Sequence, residues 1–207
     1  MTLIAFLAQV IVISLSGVMA PGPVTAAAIG LGSHNKHAGI SMAAGHAIVE
    51  LPLMVIIILG AGRLFRYPTA QTIIALAGGV FLLLMALQMF AQLRANTDPC
   101  AAYAGTSPLT AGILLSATNP YFLIWWATVG LALATRAGEL GIWAFALFAM
   151  VHLFCDLIWL EILSWATFKG SRIFGPKSQK VVLTVCAGAL LIFGIKFLFD
   201  ALVSLTG

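Results

Sequence analysis

The sequence predicts an all-α membrane protein: about six transmembrane helices arranged as two inverted three-helix repeats, with the first and fourth helices broken. Three observations predict it. Of 207 residues, 62% are hydrophobic and only 8% charged, whereas a soluble domain carries about 25% charged residues. The mean hydropathy is +1.10, so lipid must serve as solvent for most of the surface. Six long apolar runs follow one another, at 3–33, 38–62, 69–92, 107–134, 139–168 and 179–205. Each meets the roughly 20 residues that a helix needs to cross about 30 Å of hydrocarbon. Finally, the same polar signatures recur in the two halves of the chain. It therefore reads as one transmembrane domain over 1–207, with repeat one at about 1–95 and repeat two at about 105–207.

The first run has no basic segment before it, and Pro21 directly follows Ala20. Both features argue against a cleaved signal peptide, so the run is read as structure. Pro21-Gly22-Pro23 lies deep within it. Two prolines remove two backbone donors, and proline also clashes with the preceding turn. Freed backbone groups in lipid cost several kcal/mol each unless protein or a cavity satisfies them. The motif predicts two half-helices, at about 3–20 and 24–33. The small residues Ala26, Ala27, Ala28, Gly30 and Gly32 beyond it allow close helix approach.

The second run carries His46 and Glu50, four residues apart and so on one helix face. The third opens with Gly78-Gly79. Asn119-Pro120 interrupts the fourth, with an amide placed to bond freed carbonyls. The fifth carries His152 and Asp156, again at i,i+4. Gly188 stands in the sixth where Gly78 stands in the third. Both His/acid pairs fit H-x-x-x-[DE]-L, and the offset between halves grows steadily, as diverged loops would produce. Three spans per half is an odd number, so the halves enter the membrane from opposite sides. Paired broken helices in corresponding places mark the binding site in proteins of this plan.

Glu50 and Asp156 both fall near the middle of their runs. A charge at that depth costs at least about 2.5–3.5 kcal/mol on insertion scales. Three readings are open for the two pairs: structural bonding, binding of a cationic group or a coupling proton, and a metal site. In the metal reading His46, Glu50, His152 and Asp156 form one quartet, a donor set that suits zinc, manganese or iron.

Other features are assigned modest roles. Lys196 and Asp200 are spaced for a local ion pair, and Glu161 is read as interfacial, near Lys169. Trp125, Trp126, Trp143, Trp159 and Trp165 are read as belt or core residues, with Trp159 one turn from Asp156. Cys100, Cys155 and Cys186 form no C-x-x-C, so no redox pair or zinc knuckle is expected. The net charge of +4 is spread over helix ends, with no patch dense enough for nucleic acid. Alternating helices put Lys36, Arg94, Lys169, Arg172, Lys177 and Lys180 on one side and Arg63, Arg66 and Arg136 on the other. The positive-inside rule then places both termini outside the cytoplasm. The segment from Gly170 to Ser178 approaches a Walker A motif, but Pro176 splits the Gly-Lys pair. H-E-x-x-H is absent, as is any recognisable nucleophile constellation. No enzyme and no cofactor are expected.

Pro21-Gly22-Pro23 closing a first hydrophobic helix resembles the hallmark of the LysE/RhtB-type amino-acid exporters. So do Gly45-His46 to Glu50, Asn119-Pro120, Asp156-Leu157-Ile158-Trp159 and the glycines Gly78, Gly79 and Gly188. The resemblance covers nearly the whole chain. It implies six helices, the cytoplasmic membrane of a prokaryote, and export of amino acids or similar metabolites driven by the proton or membrane gradient. The implied partners are the lipid bilayer, a small-molecule substrate and a coupling proton, and a homodimer is compatible. Under it, Glu50 and Asp156 bind the substrate ammonium or the proton, and His46 and His152 act as proton partners. Pro21, Gly22, Pro23, Asn119 and Pro120 shape the broken helices, and the half-helix after Pro23 takes the substrate carboxylate. Two features depart from the family pattern: Tyr121 stands where many members have lysine, and the two histidines are not a hallmark. Divalent-metal export through the quartet is the alternative.

Overall fold

The computed structural model describes residues 2–20, 22–59, 67–94, 105–173 and 175–206. Regular structure within them is helical: α1 (Leu3–Val18), α2 (Pro23–Gly32), α3 (Ala38–Ile58), α4 (Pro68–Arg94), α5 (Pro108–Ala117), α6 (Pro120–Trp125), α7 (Leu131–Glu139), α8 (Ile142–Ile173) and α9 (Gly175–Thr206). A π-helical turn, Trp126–Gly130, joins α6 to α7. Pro21, Arg63, Arg66, Asp98 and Cys100 lie outside the described residues, as do the side chains of Pro120, Arg172, Lys177 and Cys186.

Local chemistry sets the ends. Thr2 caps α1, its hydroxyl accepting from the Ala5 amide at 3.3 Å. Pro23, Pro108 and Pro120 each sit in the first turn of a helix, where a missing N–H costs nothing because that donor has no helical partner. Gly141, at φ +108°, turns the chain from α7 into α8; only glycine adopts that angle without strain.

Each apolar run emerges as a helix or a broken set of helices. Three stretches are long and apolar enough to cross a bilayer unbroken: Ala38–Ile58, Ile142–Gly170 and Ala187–Ser204. Helices α1 and α2, bent by 76° across their break, make a fourth span if taken together. The apolar stretch of α4 is shorter, Ala75–Ala91. The fourth run is divided further than expected, into α5, α6, the π turn and α7. The outward faces carry Ile4, Leu59, Trp143, Phe154, Ile192 and Phe199, all more than half exposed. An apolar surface so continuous is one for lipid to cover.

The core forms where α2 meets its neighbours. Ala27 and Ala28 pack against Met42 and Ala43 of α3 and Leu160 of α8. Ala26 packs against Leu82, Ala86 and Met89 of α4 and Leu190 of α9. A third cluster, with Phe6, Val10, Met54, Phe122, Trp126 and Phe148, joins α1, α3, α6 and α8. Helices approach most closely at glycines. A Cβ on Gly39 would lie 2.2 Å from the Leu160 carbonyl oxygen, one on Gly45 2.2 Å from that of Leu109, and one on Gly112 2.2 Å from that of Met42. Small residues therefore do the work expected of them. Gly188 is different, since nothing lies within 4 Å of a Cβ there. The close crossing of α4 and α9 falls instead at Gly79 and Gly194.

Candidate functional site

Both helix breaks open onto one cavity of about 80 Å³. Its wall includes Gly17, Ala20, Gly22, Val24 and Thr25 from the first break and Asn119, Tyr121 and Phe122 from the second. It also includes His46, Glu50, His152 and Asp156, together with Trp125 and Trp126. All four titratable side chains are buried, Glu50 to 1% exposure and Asp156 to 5%.

The first break is tied by Thr25, whose hydroxyl donates to the Ala20 carbonyl at 3.2 Å. The first helical bond of α2 runs from the Ala26 amide to the Gly22 carbonyl at 2.9 Å. The N–H groups of Val24 and Thr25 therefore have no partner within the helix, and both residues line the cavity. At the second break, Asn119 caps α6, its side-chain oxygen accepting from the Tyr121 amide at 3.1 Å. The amide was expected to donate to freed carbonyls; it accepts instead, because the α6 N-terminus is short of acceptors.

The i,i+4 pairs on α3 and α8 interlock. The two elements pack face to face, and each histidine reaches both acids. His152 Nε2 lies 3.0 Å from Glu50 Oε1 and 3.6 Å from Asp156 Oδ2. His46 Nε2 lies 3.4 Å from Glu50 Oε1 and 3.9 Å from Asp156 Oδ1. Serines hold the far side of each ring: His46 Nδ1 is 2.6 Å from Ser116 Oγ, and His152 Nδ1 is 2.7 Å from Ser14 Oγ. Trp126 donates from Nε1 to Glu50 Oε1 at 3.0 Å. Glu50 Oε2 and Asp156 Oδ2 are buried without a hydrogen-bond partner. Donor atoms of His46, Glu50 and Asp156 lie within 4.8 Å of one another, close enough to share an ion.

Aromatic rings enclose His152. Trp125 stacks on it with centroids 5.1 Å apart and Trp126 meets it edge-on at 5.5 Å. Two glycines make room for these rings. A Cβ on Gly17 would fall 2.6 Å from Trp125 Nε1, and one on Gly130 would fall 2.4 Å from the Trp126 ring. The π turn thus ends on the glycine that lets Trp126 lie back along its own helix and face Glu50.

Sequence reasoning identified the two His/acid pairs and both breaks, but it missed Trp126, Trp125, Ser14 and Ser116. Trp126 is fully buried and contacts the central acid, so it is no belt residue. Glu161, read as interfacial, sits at the N-terminus of α3. Its Oε1 lies 2.6 Å from His37 Nδ1 and its Oε2 accepts from the Ile40 amide at 3.2 Å, so it caps α3. Lys169 places its ammonium 3.7 Å from the centre of the Trp165 ring. Trp159 does not line the cavity, and its Nε1 is buried without a partner. Lys196 and Asp200 form the expected local pair, exposed on α9.

A family model described as LysE type translocator matches residues 15–201. The chain belongs to that family. Neither a curated protein nor a solved structure matches it. As a LysE type translocator the chain is a multi-pass membrane transporter, and the matched span contains both helix breaks and every cavity residue named above; Ser14, the partner of His152, stands one residue before it.

Proposed function

We propose that this translocator exports amino acids, or small metabolites of the same charge pattern, as a gradient-driven secondary transporter in the cytoplasmic membrane of a prokaryote. One observation carries the reading: a single cavity touches both helix breaks and all four buried titratable side chains. A zwitterion needs a negative and a positive subsite close together. Glu50 and Asp156 offer the first. The first-turn N–H groups of Val24 and Thr25, at the positive end of α2, offer the second. Tyr121, Phe122 and Trp125 give the cavity an apolar wall for a side chain. His46 and His152, already against the acids, are placed to exchange a proton when an ammonium arrives.

Contacts traded between the halves support an inverted-repeat plan. Helix α3 lies on α5 of the second half, as α8 lies on α1 and α2 of the first. Helix α4 lies on α6, as α9 lies on α2. The serine partners follow the same exchange: His46 bonds Ser116, and His152 bonds Ser14. Such a pattern suits alternating access around a fixed central site.

The test is efflux from proteoliposomes loaded in turn with labelled amino acids, comparing the unchanged protein with Glu50→Gln. Losing one charge-assisted contact to an ammonium weakens binding by about 10–100-fold. Efflux of at least one amino acid, slowed by that order in Glu50→Gln, is expected. Efflux of none, or efflux that the substitution leaves unchanged, would contradict the proposal.

A further inference from the structure

Three of the four side chains have the dimensions of a coordination sphere: donor atoms of His46, Glu50 and Asp156 lie within 4.8 Å of one another, and His152 Nε2 stands beside them, 3.0 Å from Glu50 Oε1. With zinc bonds of about 2.0–2.1 Å, the ligand atoms of a tetrahedral site stand about 3.3–3.4 Å apart. His46 Nε2 lies 3.4 Å from Glu50 Oε1 and 3.9 Å from Asp156 Oδ1, close to that edge. One imidazole and two carboxylates, with a fourth position left open, are a donor set suited to zinc and its neighbours.

The hydrogen-bonding around His46 adds an independent argument. Ser116 donates its single hydroxyl hydrogen to the Gly112 carbonyl at 2.6 Å. At the 2.6 Å contact with His46 Nδ1, Ser116 must therefore accept, and Nδ1 carries the hydrogen. Nε2 is left facing carboxylate oxygens of Glu50 and Asp156, which bring no hydrogen in their ionised form. A proton on Nε2 or a metal cation between them satisfies these facing groups. A histidine ligand whose other nitrogen donates to a fixed partner is the usual outer arrangement of a metal site. Glu50 Oε2 and Asp156 Oδ2, buried and without a hydrogen-bond partner among the described residues, supply further acceptors. Two buried carboxylates also call for positive charge nearby, which a divalent ion supplies as well as protonated His46 and His152 do.

We propose that His46, Glu50 and Asp156, with His152 beside them, form a binding site for one divalent transition-metal ion of the zinc class. The site stands whatever small molecule the protein carries. If the amino-acid reading also holds, the ion and the substrate ammonium compete for the same acids, and zinc inhibits transport.

Full-length protein, purified in detergent and stripped of metal, is titrated with Zn²⁺ by calorimetry and with Co²⁺ by absorption. Exposed His34 and His37 are a rival locus, so a His34→Ala/His37→Ala variant serves as background. The expected result is one Zn²⁺ per chain, retained in that background and weakened by about 100-fold or more in His46→Gln and Asp156→Asn. Co²⁺ should show the intense visible bands of a four-coordinate site. Ser116→Ala, a gentler change, should weaken binding by about 10–100-fold while the protein still elutes as a folded species. No stoichiometric binding, binding lost with His34 and His37, or a Co²⁺ spectrum like that of the aqueous ion would overturn the proposal. No substrate enters this titration, so its failure would leave the transport reading untouched.

Discussion

At the scale of single residues, the centre of the account is Glu50. One oxygen of this side chain receives both Trp126 Nε1 and His152 Nε2 at 3.0 Å. A buried acceptor that loses a donor costs about 1–3 kcal/mol. Trp126→Phe removes the N–H and part of the indole ring, so a cavity in this buried site adds to that cost. It is expected to lower stability by at least that amount, read as a fall in the thermal midpoint in detergent, and to reduce efflux. An unchanged midpoint would mean that water or another donor takes over. The i,i+4 pairs were legible in the sequence because charged groups stand out in an apolar run. Trp126, Ser14 and Ser116 were not, because tryptophan and serine are ordinary in membrane helices and their partners lie 70 or more residues away. The partner of Glu161 was illegible for the same reason: His37 lies 124 residues away in sequence.

At the scale of elements, glycines decide how closely the helices carrying the site approach. Gly45 precedes His46 by one residue, and its Cα faces the α5 backbone. The Cβ of Gly45→Ala would fall 2.2 Å from the Leu109 carbonyl oxygen, where backbone must move. Overpacking of this kind costs about 1–3 kcal/mol. It should also stretch the His46–Ser116 bond across the same helix pair. Gly188→Ala meets open space and should change stability by less than about 1 kcal/mol. Parallel thermal melts of the two variants check the contrast, and equal losses would contradict the packing described. Proline made both helix breaks legible, since a lost donor in lipid is costly wherever it falls. The sequence carried no comparable sign of the π turn, which depends on where Trp126 must point. The glycine stripe was visible, but which glycine meets which helix was not: the α4–α9 crossing uses Gly79 and Gly194, and Gly188 stands apart.

At the scale of the whole molecule, an apolar composition and six apolar runs were sufficient for an all-helical membrane fold, and the ordered motifs were sufficient for the family. Convergence was the part left to tertiary structure. Four titratable groups on two helices became one cluster because α3 and α8 pack together, and two proline breaks 97 residues apart came to line one cavity. Thr25 stands at the start of α2 and lines that cavity, which makes it a reporter of occupancy. In membranes containing a Thr25→Cys variant whose native cysteines are replaced by serine, the rate of thiol labelling is measured with and without each amino acid. The account predicts that the exported amino acid slows labelling and that adding Glu50→Gln abolishes the protection. Labelling that no amino acid slows, in a variant that still exports one, would contradict the placement of the substrate in this cavity.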